Sequence, residues 1–378
     1  MTPILQFGTS RFLQAHVDLF VSEALDGGTA LGPITVVQTT DNLQSAQRIA
    51  AFNQRGGFPV RIRGLQDGAV VDRVQNISSI QRGLSAHRDW AEVRTLAAGP
   101  VQIIVSNTGD RGYALSDEDH PDLLGGDAVP HSFPAKLLVL LYGRFQRGGA
   151  PVTLLPCELV TSNGAVLRDC VVQLARDWAL DQAFIAWLAD VCVWVNSLVD
   201  RIVSEAIDPA GAVAEPYALW AVEAQPKMQL PCLHAQIIVT DKLEPYERRK
   251  LFLLNLGHSF LAERWLREKR PAGETVLQAM SDLLLRAELE AVWREEVLPV
   301  FRALGEEEAS SAYLTQVRER FGNPYLAHRL ADIAQNHEEK KLRRFRPVVA
   351  LARELGLDIP QPRLCRALEA GSTGVPVK

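Results

Sequence analysis

The chain is poor in cysteine, in aromatic residues and in long apolar stretches, and each shortage removes a class of protein. Its five cysteines, Cys157, Cys170, Cys192, Cys232 and Cys365, are odd in number and widely spaced, with no C-x2-C pair. That excludes a disulfide framework and a structural zinc site, and no other metal-ligand spacing occurs. The cysteines read as reduced, mostly buried thiols, with Cys157 the one expected near a site. No apolar run approaches the roughly 18 residues of a membrane span. The start, MTPILQFGTSRF, enters a strand-like run without the basic region and apolar core of a signal peptide, so a cytoplasmic protein is expected. Positive charge is short too: the formal net charge is −5. No broad basic field favours nucleic acid or an anionic membrane. What remains, 47% hydrophobic and 22% charged residues over 378 positions, is an ordinary soluble globular protein of about two domains.

The first half alternates strand-like and helix-like segments. PILQFG (3–8) is a short apolar run ending in glycine, and a helical stretch follows. ITVVQTT (34–40), VQIIVSNT (101–108) and VTLLPCEL (152–159) read as buried strands, and PAKLLVLLYGRF (134–145) as a helix. PVRIRGLQDGAVVDRVQ (59–75) reads as a hairpin turning at Asp67-Gly68. This rhythm predicts an α/β domain with a mostly parallel sheet covered on both faces. Proline and glycine cluster at 208–211. Strands are still expected at 217–224 and 234–241, and nearly everything after Pro245 is helix-like. The reading is a first domain over 1–212 and a mainly helical one over 213–378. The last residues, GSTGVPVK, are expected to be a loose tail.

Ligands of open parallel sheets bind beyond the carboxyl ends of the strands, often with a phosphate at a helix start. Gly8, Thr9, Ser10, Arg11, Phe12 and Leu13 stand at such a turn. They form a degraded G-x-G-x-x-G in which Ser10 and Leu13 replace the second and third glycines, and a plain strand-to-helix turn explains the pattern as well. The acid that would hold an adenosine ribose is absent from the end of the second strand, where Gln38 stands. Asp41 follows, as ribose contact or as helix N-cap. No arginine follows the strand directly, which leans to NAD without excluding NADP. Ser106, Asn107 and Thr108 close another strand, as cofactor contacts or as turn residues.

The densest chemistry lies in KLFLLNLGH (250–258). At about 100° per residue, Lys250, Asn255 and His258 share one broad face of a helix. A base, an amide donor and an imidazole on one face suit moving a proton on and off an oxygen. Taken alone, the spacing also fits an amphipathic helix facing water.

Further motifs appear in order: PCEL (156–159), SNG (162–164), NSLVDRI (196–202) and FGNPY (321–325), with Lys340 downstream. Together with K-x4-N-x2-H they closely resemble the polyol-specific long-chain dehydrogenases, the mannitol dehydrogenase family, over about 1–350. Within it, PCEL with SNG, DWALDQAFIAWL, SLVDRIV and YERRK before LNLGH resemble the tagaturonate reductase (altronate oxidoreductase) branch. The resemblance implies a Rossmann-type domain, a helical C-terminal domain and metal-independent, NAD(P)-dependent interconversion of a ketose-type and a polyol-type sugar. It implies Lys250 as general acid/base, Asn255 as the donor polarising the reacting oxygen, and His258 as a substrate-orienting or proton-sharing group. Asp200 would place or tune Lys250. Asn163 would touch substrate or nicotinamide, and Asn196 and Lys340 would contact substrate. The charged run 337–346 reads as a solvated face, or as a carboxylate or phosphate contact through Lys340 or Arg344.

Three functions follow: a reductase of tagaturonate or fructuronate, a mannitol or mannitol-1-phosphate dehydrogenase, or a non-catalytic dinucleotide-binding sensor. The expected partner is a small sugar acid or polyol. Oligomeric state is not written in the pattern.

Overall fold

The computed structural model describes residues 2–109 and 112–369, so the tail expected at 371–378 lies outside the described residues. By contacts the chain forms two compact units. One comprises 1–62, 73–214 and 218–243, and the other comprises 63–72, 215–217 and 244–378.

The first unit is built on six parallel strands in the order Ile80–Ser85, Ile34–Gln38, Ile4–Phe7, Ile103–Ser106, Thr153–Pro156 and Val193–Trp194. The strands flanking Ile4 are both in register with it, Ile34 on one side and Ile103 on the other. Every residue of Ile4–Phe7, Ile34–Gln38 and Ile103–Ser106 is buried, as expected of strands covered on both faces. The Phe133–Gln146 helix covers them with Leu137, Leu138 and Leu141, and Ser132 starts that helix by accepting the Ala135 amide. Strand order reverses at Ile4–Phe7, so the crevice between its end and that of Ile103–Ser106 is where such sheets take a dinucleotide.

The strands Leu219–Glu223 and Ile237–Thr240, expected to open the second domain, add to the first unit because they pair in one sheet with Ser197–Asp200. The hairpin turns at Asp67-Gly68 as its sequence predicts, with φ of 51° and 75°. Beyond Leu243 the second unit is helical around Leu253, Leu256, Trp293, Phe301, Val317, Phe321 and Phe345. Within the stretch after Pro245 expected to be helical, residues 324–335 hold only the short Leu330–Ile333 helix. No helix among the described residues is long and apolar enough to cross a membrane.

Candidate active site

Gly8 occupies the first turn with φ of +113°, and a Cβ there would stand 2.4 Å from the Asn107 carbonyl oxygen. Only glycine fits this approach. Ser10 does not point outward in place of the missing glycine. Its hydroxyl caps the short Arg11–Gln14 helix through the Leu13 amide (3.2 Å) and donates to Asn107 Oδ1 (3.0 Å). Asn107 in turn donates to the Cys157 carbonyl at 2.8 Å. Three strand ends are thereby tied together at the switch point. Cys157 is wholly buried, and burial raises its thiol pKa well above the usual range, so it is a packing residue beside the crevice.

Other expected contacts are also spent on scaffolding. Ser106 Oγ, the Thr108 amide and hydroxyl, and the Tyr113 hydroxyl all donate to Glu158, at 2.9–3.1 Å. Asn163 is fully buried; its amide nitrogen donates to the carbonyls of Pro156, Glu158 and Ser197, and its oxygen accepts from the Gly164 and Ser197 amides. An amide has two donors and two lone pairs, so Asn163 keeps nothing for a ligand. Asn196 is engaged likewise, with the Ala165 amide and Glu223. Asp200 is buried at the end of its strand. The helix after the second strand is capped by Asn42, through the Ser45 amide, and Asp41 before it is exposed.

Arg48 carries no sequence signal beyond its place in that helix. Its guanidinium nevertheless reaches back to Thr9 Oγ1 (3.3 Å) and Ser45 Oγ (2.9 Å). Burial and the charge of Arg11 lower its pKa. Arg11 itself pairs with exposed Asp208 at 3.2 Å. Two arginines therefore flank the degraded glycine turn. With the space kept by Gly8, they fit a dinucleotide pyrophosphate, which needs close backbone approach and positive charge. Phe12 instead stacks on buried His16, with ring centroids 4.7 Å apart.

In the helical unit, Lys250–Asn255 is a wide, π-type turn between the Glu244–Arg249 and Leu256–Glu268 helices. The Leu256 amide bonds five residues back, to the Leu251 carbonyl. A uniform α-helix would set Lys250 and Asn255 about 140° apart, whereas the i→i+5 step turns less per residue and brings residues five apart closer in angle. One turn on, Gly257 lets the helix close on Trp293, whose ring a Cβ would meet at 2.6 Å. His258 stacks on Phe321 (4.4 Å) and meets His328 edge-on (4.7 Å). Burial first, then His328, Arg320 and Arg344, push its pKa well below the imidazole range. His258 is thus a neutral hydrogen-bonding group rather than a cation.

Lys340 and Arg344 join this cluster. Lys340 Nζ donates to the Ile333 carbonyl at 2.9 Å, and its charge acts on His328. Burial and Arg343 bring the Arg344 pKa to about 10. The charged run is therefore two-faced: Lys341 is buried against Glu263 and Glu338, while Arg343 lies outside.

A dinucleotide crevice on a parallel sheet, with a lysine, an amide and a neutral imidazole on a separate helical unit, defines a dehydrogenase-type protein. The chain belongs to the mannitol dehydrogenase family. The family's Rossmann domain matches residues 2–234 and its C-terminal domain residues 242–368. Altronate oxidoreductase from Halalkalibacterium halodurans is 31% identical over 367 residues, which span 91% of this chain and 69% of that one. Altronate oxidoreductase from Pectobacterium atrosepticum is 33% identical over 393 residues, spanning 97% and 78%. Among solved structures, a D-sorbitol dehydrogenase superposes with a TM-score of 0.81 at 21% identity, over 94% of this chain and 77% of that one. Pseudomonas fluorescens mannitol 2-dehydrogenase superposes with a TM-score of 0.75 at 20% identity, over 99% and 80%. These two likenesses concern the fold.

Proposed function

We propose that this chain is an NAD(H)-dependent oxidoreductase that interconverts a keto sugar acid, tagaturonate or fructuronate, and its aldonate. The observation that carries the reading is the wide turn bearing Lys250 and Asn255, with His258 and the cation Lys340 in the same unit. The altronate oxidoreductases of similar sequence support the acid substrate, and a carboxylate calls for a cation of this kind.

NADH, when bound, would supply the hydride that adds to the carbonyl carbon. As that bond forms, the C=O π pair moves onto oxygen, where negative charge builds. The Asn255 amide stabilises this charge by donating to the oxygen. The Lys250 ammonium delivers the proton that completes the alcohol, and in the reverse direction the neutral amine removes it. Neutral His258 orients a hydroxyl of the sugar. Gly8, Thr9, Arg11 and Arg48 would hold the pyrophosphate. Lys340 would contact the sugar acid, and tuning of Lys250 by Asp200 rests on the family resemblance. Asp41 is kept for the adenosine ribose.

The test is NADH oxidation by the purified protein with tagaturonate, fructuronate, fructose and fructose 6-phosphate. Turnover confined to a uronate is expected. Turnover with fructose or its phosphate alone overturns the assignment in favour of a polyol dehydrogenase.

A further inference from the structure

The wide turn that carries Lys250 and Asn255 does not hold itself. Runs of π-type hydrogen bonding are rare, and a chain free to choose winds as an α-helix. In this chain two side chains from other helices add donors to carbonyls of the turn, and the Leu253 carbonyl also accepts from the Leu256 amide. Trp293 Nε1 donates to the Leu253 carbonyl at 3.1 Å. Arg344 Nη1 donates to the Asn255 carbonyl at 3.3 Å and to Ser259 Oγ at 2.8 Å, in the next turn. Trp293 is completely buried, and it sits in a second π-type turn, Val292–Val297. Its ring also fills the space left by Gly257. The two bonds fall at either end of Leu253–Asn255, the stretch that sets the angle between Asn255 and Lys250.

We infer that Arg344 and Trp293 are positioning residues for the reaction, because they hold the Lys250–Asn255 turn in its wide form and so keep the proton donor and the oxyanion donor closer in angle than an α-helix would. The inference rests on the proposed role of Lys250. Without both donors the turn relaxes toward an α-helical step, which rotates Lys250 and Asn255 apart by an amount on the order of 100°. Such a misplacement costs turnover rather than cofactor affinity.

The experiment uses full-length Arg344→Ala, Arg344→Lys and Trp293→Phe proteins beside wild type and Lys250→Ala. It reads kcat, KM, NADH affinity and amide hydrogen exchange over 251–260. Arg344→Ala is expected to lower kcat by about 10²-fold, with NADH affinity within a few fold of wild type and faster exchange in the turn. Added guanidinium should restore part of the lost kcat. Trp293→Phe keeps most of the ring and loses the donor, and should lower kcat about 10-fold. Combined with Arg344→Ala it should add less than its single effect, because both act on one turn. Wild-type kcat in both Arg344→Ala and Trp293→Phe overturns the inference. So does a loss seen only in KM for uronates, which would make Arg344 a direct carboxylate contact. Should Arg344→Ala not fold, Arg344→Lys and Trp293→Phe decide by the same readouts. If Lys250→Ala keeps wild-type kcat, the proposed function itself fails, and that result is distinct from any outcome at 293 or 344.

Discussion

The two units use one device, side chains bonded to backbone, in different settings. Around the glycine turn of the first, polar side chains are consumed in holding backbone: Ser10, Asn107, Thr108 and Asn163 all bond to neighbouring strand ends or to Glu158. What such a crevice offers a cofactor is shape and the flanking charges of Arg11 and Arg48. In the helical unit side chains hold backbone too: Arg344 and Trp293 bond to carbonyls of the wide turn, on which the proposed acid/base and amide stand. The difference lies in what is proposed for the held backbone: cofactor approach at the glycine turn, and presentation of Lys250 and Asn255 at the wide one.

The sharpest break of this contrast is Lys250→Ala. It should lower kcat by about 10³-fold or more, with NADH affinity changed only a few fold, because a positioned acid/base contributes about 10²–10⁴. Stopped-flow turnover and NADH fluorescence titration measure the two halves. A large loss of NADH binding would show that the division of labour is wrong.

Gly8→Ala tests the other unit. The new Cβ would stand 2.4 Å from a carbonyl oxygen at a φ of +113°, so strand ends must separate. A destabilisation of about 2–4 kcal/mol and at least a tenfold loss of NADH affinity are expected. Chemical denaturation and equilibrium binding check both. Normal NADH binding by the Gly8→Ala protein would mean the turn is not the phosphate site.

How much of this was written in the sequence follows the same divide. Lys250, Asn255 and His258 stood out in the sequence because they are the polar residues of an otherwise apolar, helix-like run. The step itself was not legible, since distant donors impose the width of the turn. Periodicity made the parallel strands plain, yet the strands at 219–223 and 237–240 join the first unit through pairing that no local pattern encodes. SNG stood out as a motif near the crevice, but a motif does not say whether its amide faces a ligand or the chain. Arg48 left no trace, because an arginine well past a strand end looks like any helix surface residue.

Asn163→Ala sharpens that last point. Five hydrogen bonds to backbone vanish in a wholly buried place, so a loss of about 2–3 kcal/mol is expected. KM for sugar and NADH affinity should stay within a few fold in the folded fraction. A selective rise in KM without loss of stability would restore Asn163 as a substrate contact.

The last effect is a slope with pH. Asp18 is fully buried against the sheet near Gln6, and burial raises its pKa from 3.8 to about 8. The folded protein therefore keeps a proton there that the unfolded chain has released above pH 3.8. Stability must fall as pH rises between 3.8 and 8, by up to about 1.4 kcal/mol per unit from this group. Buried His16 works in the opposite sense: its pKa falls from 6.5 to about 3, so the unfolded chain gains the proton first and stability drops as pH falls through that window. Asp18→Asn should remove the first slope and leave the second. Denaturation midpoints compared at about pH 5 and about pH 7.5 would then favour the variant more at the higher pH. Equal differences at both values would mean that Asp18 is ionised in the folded first unit and is compensated by something other than burial.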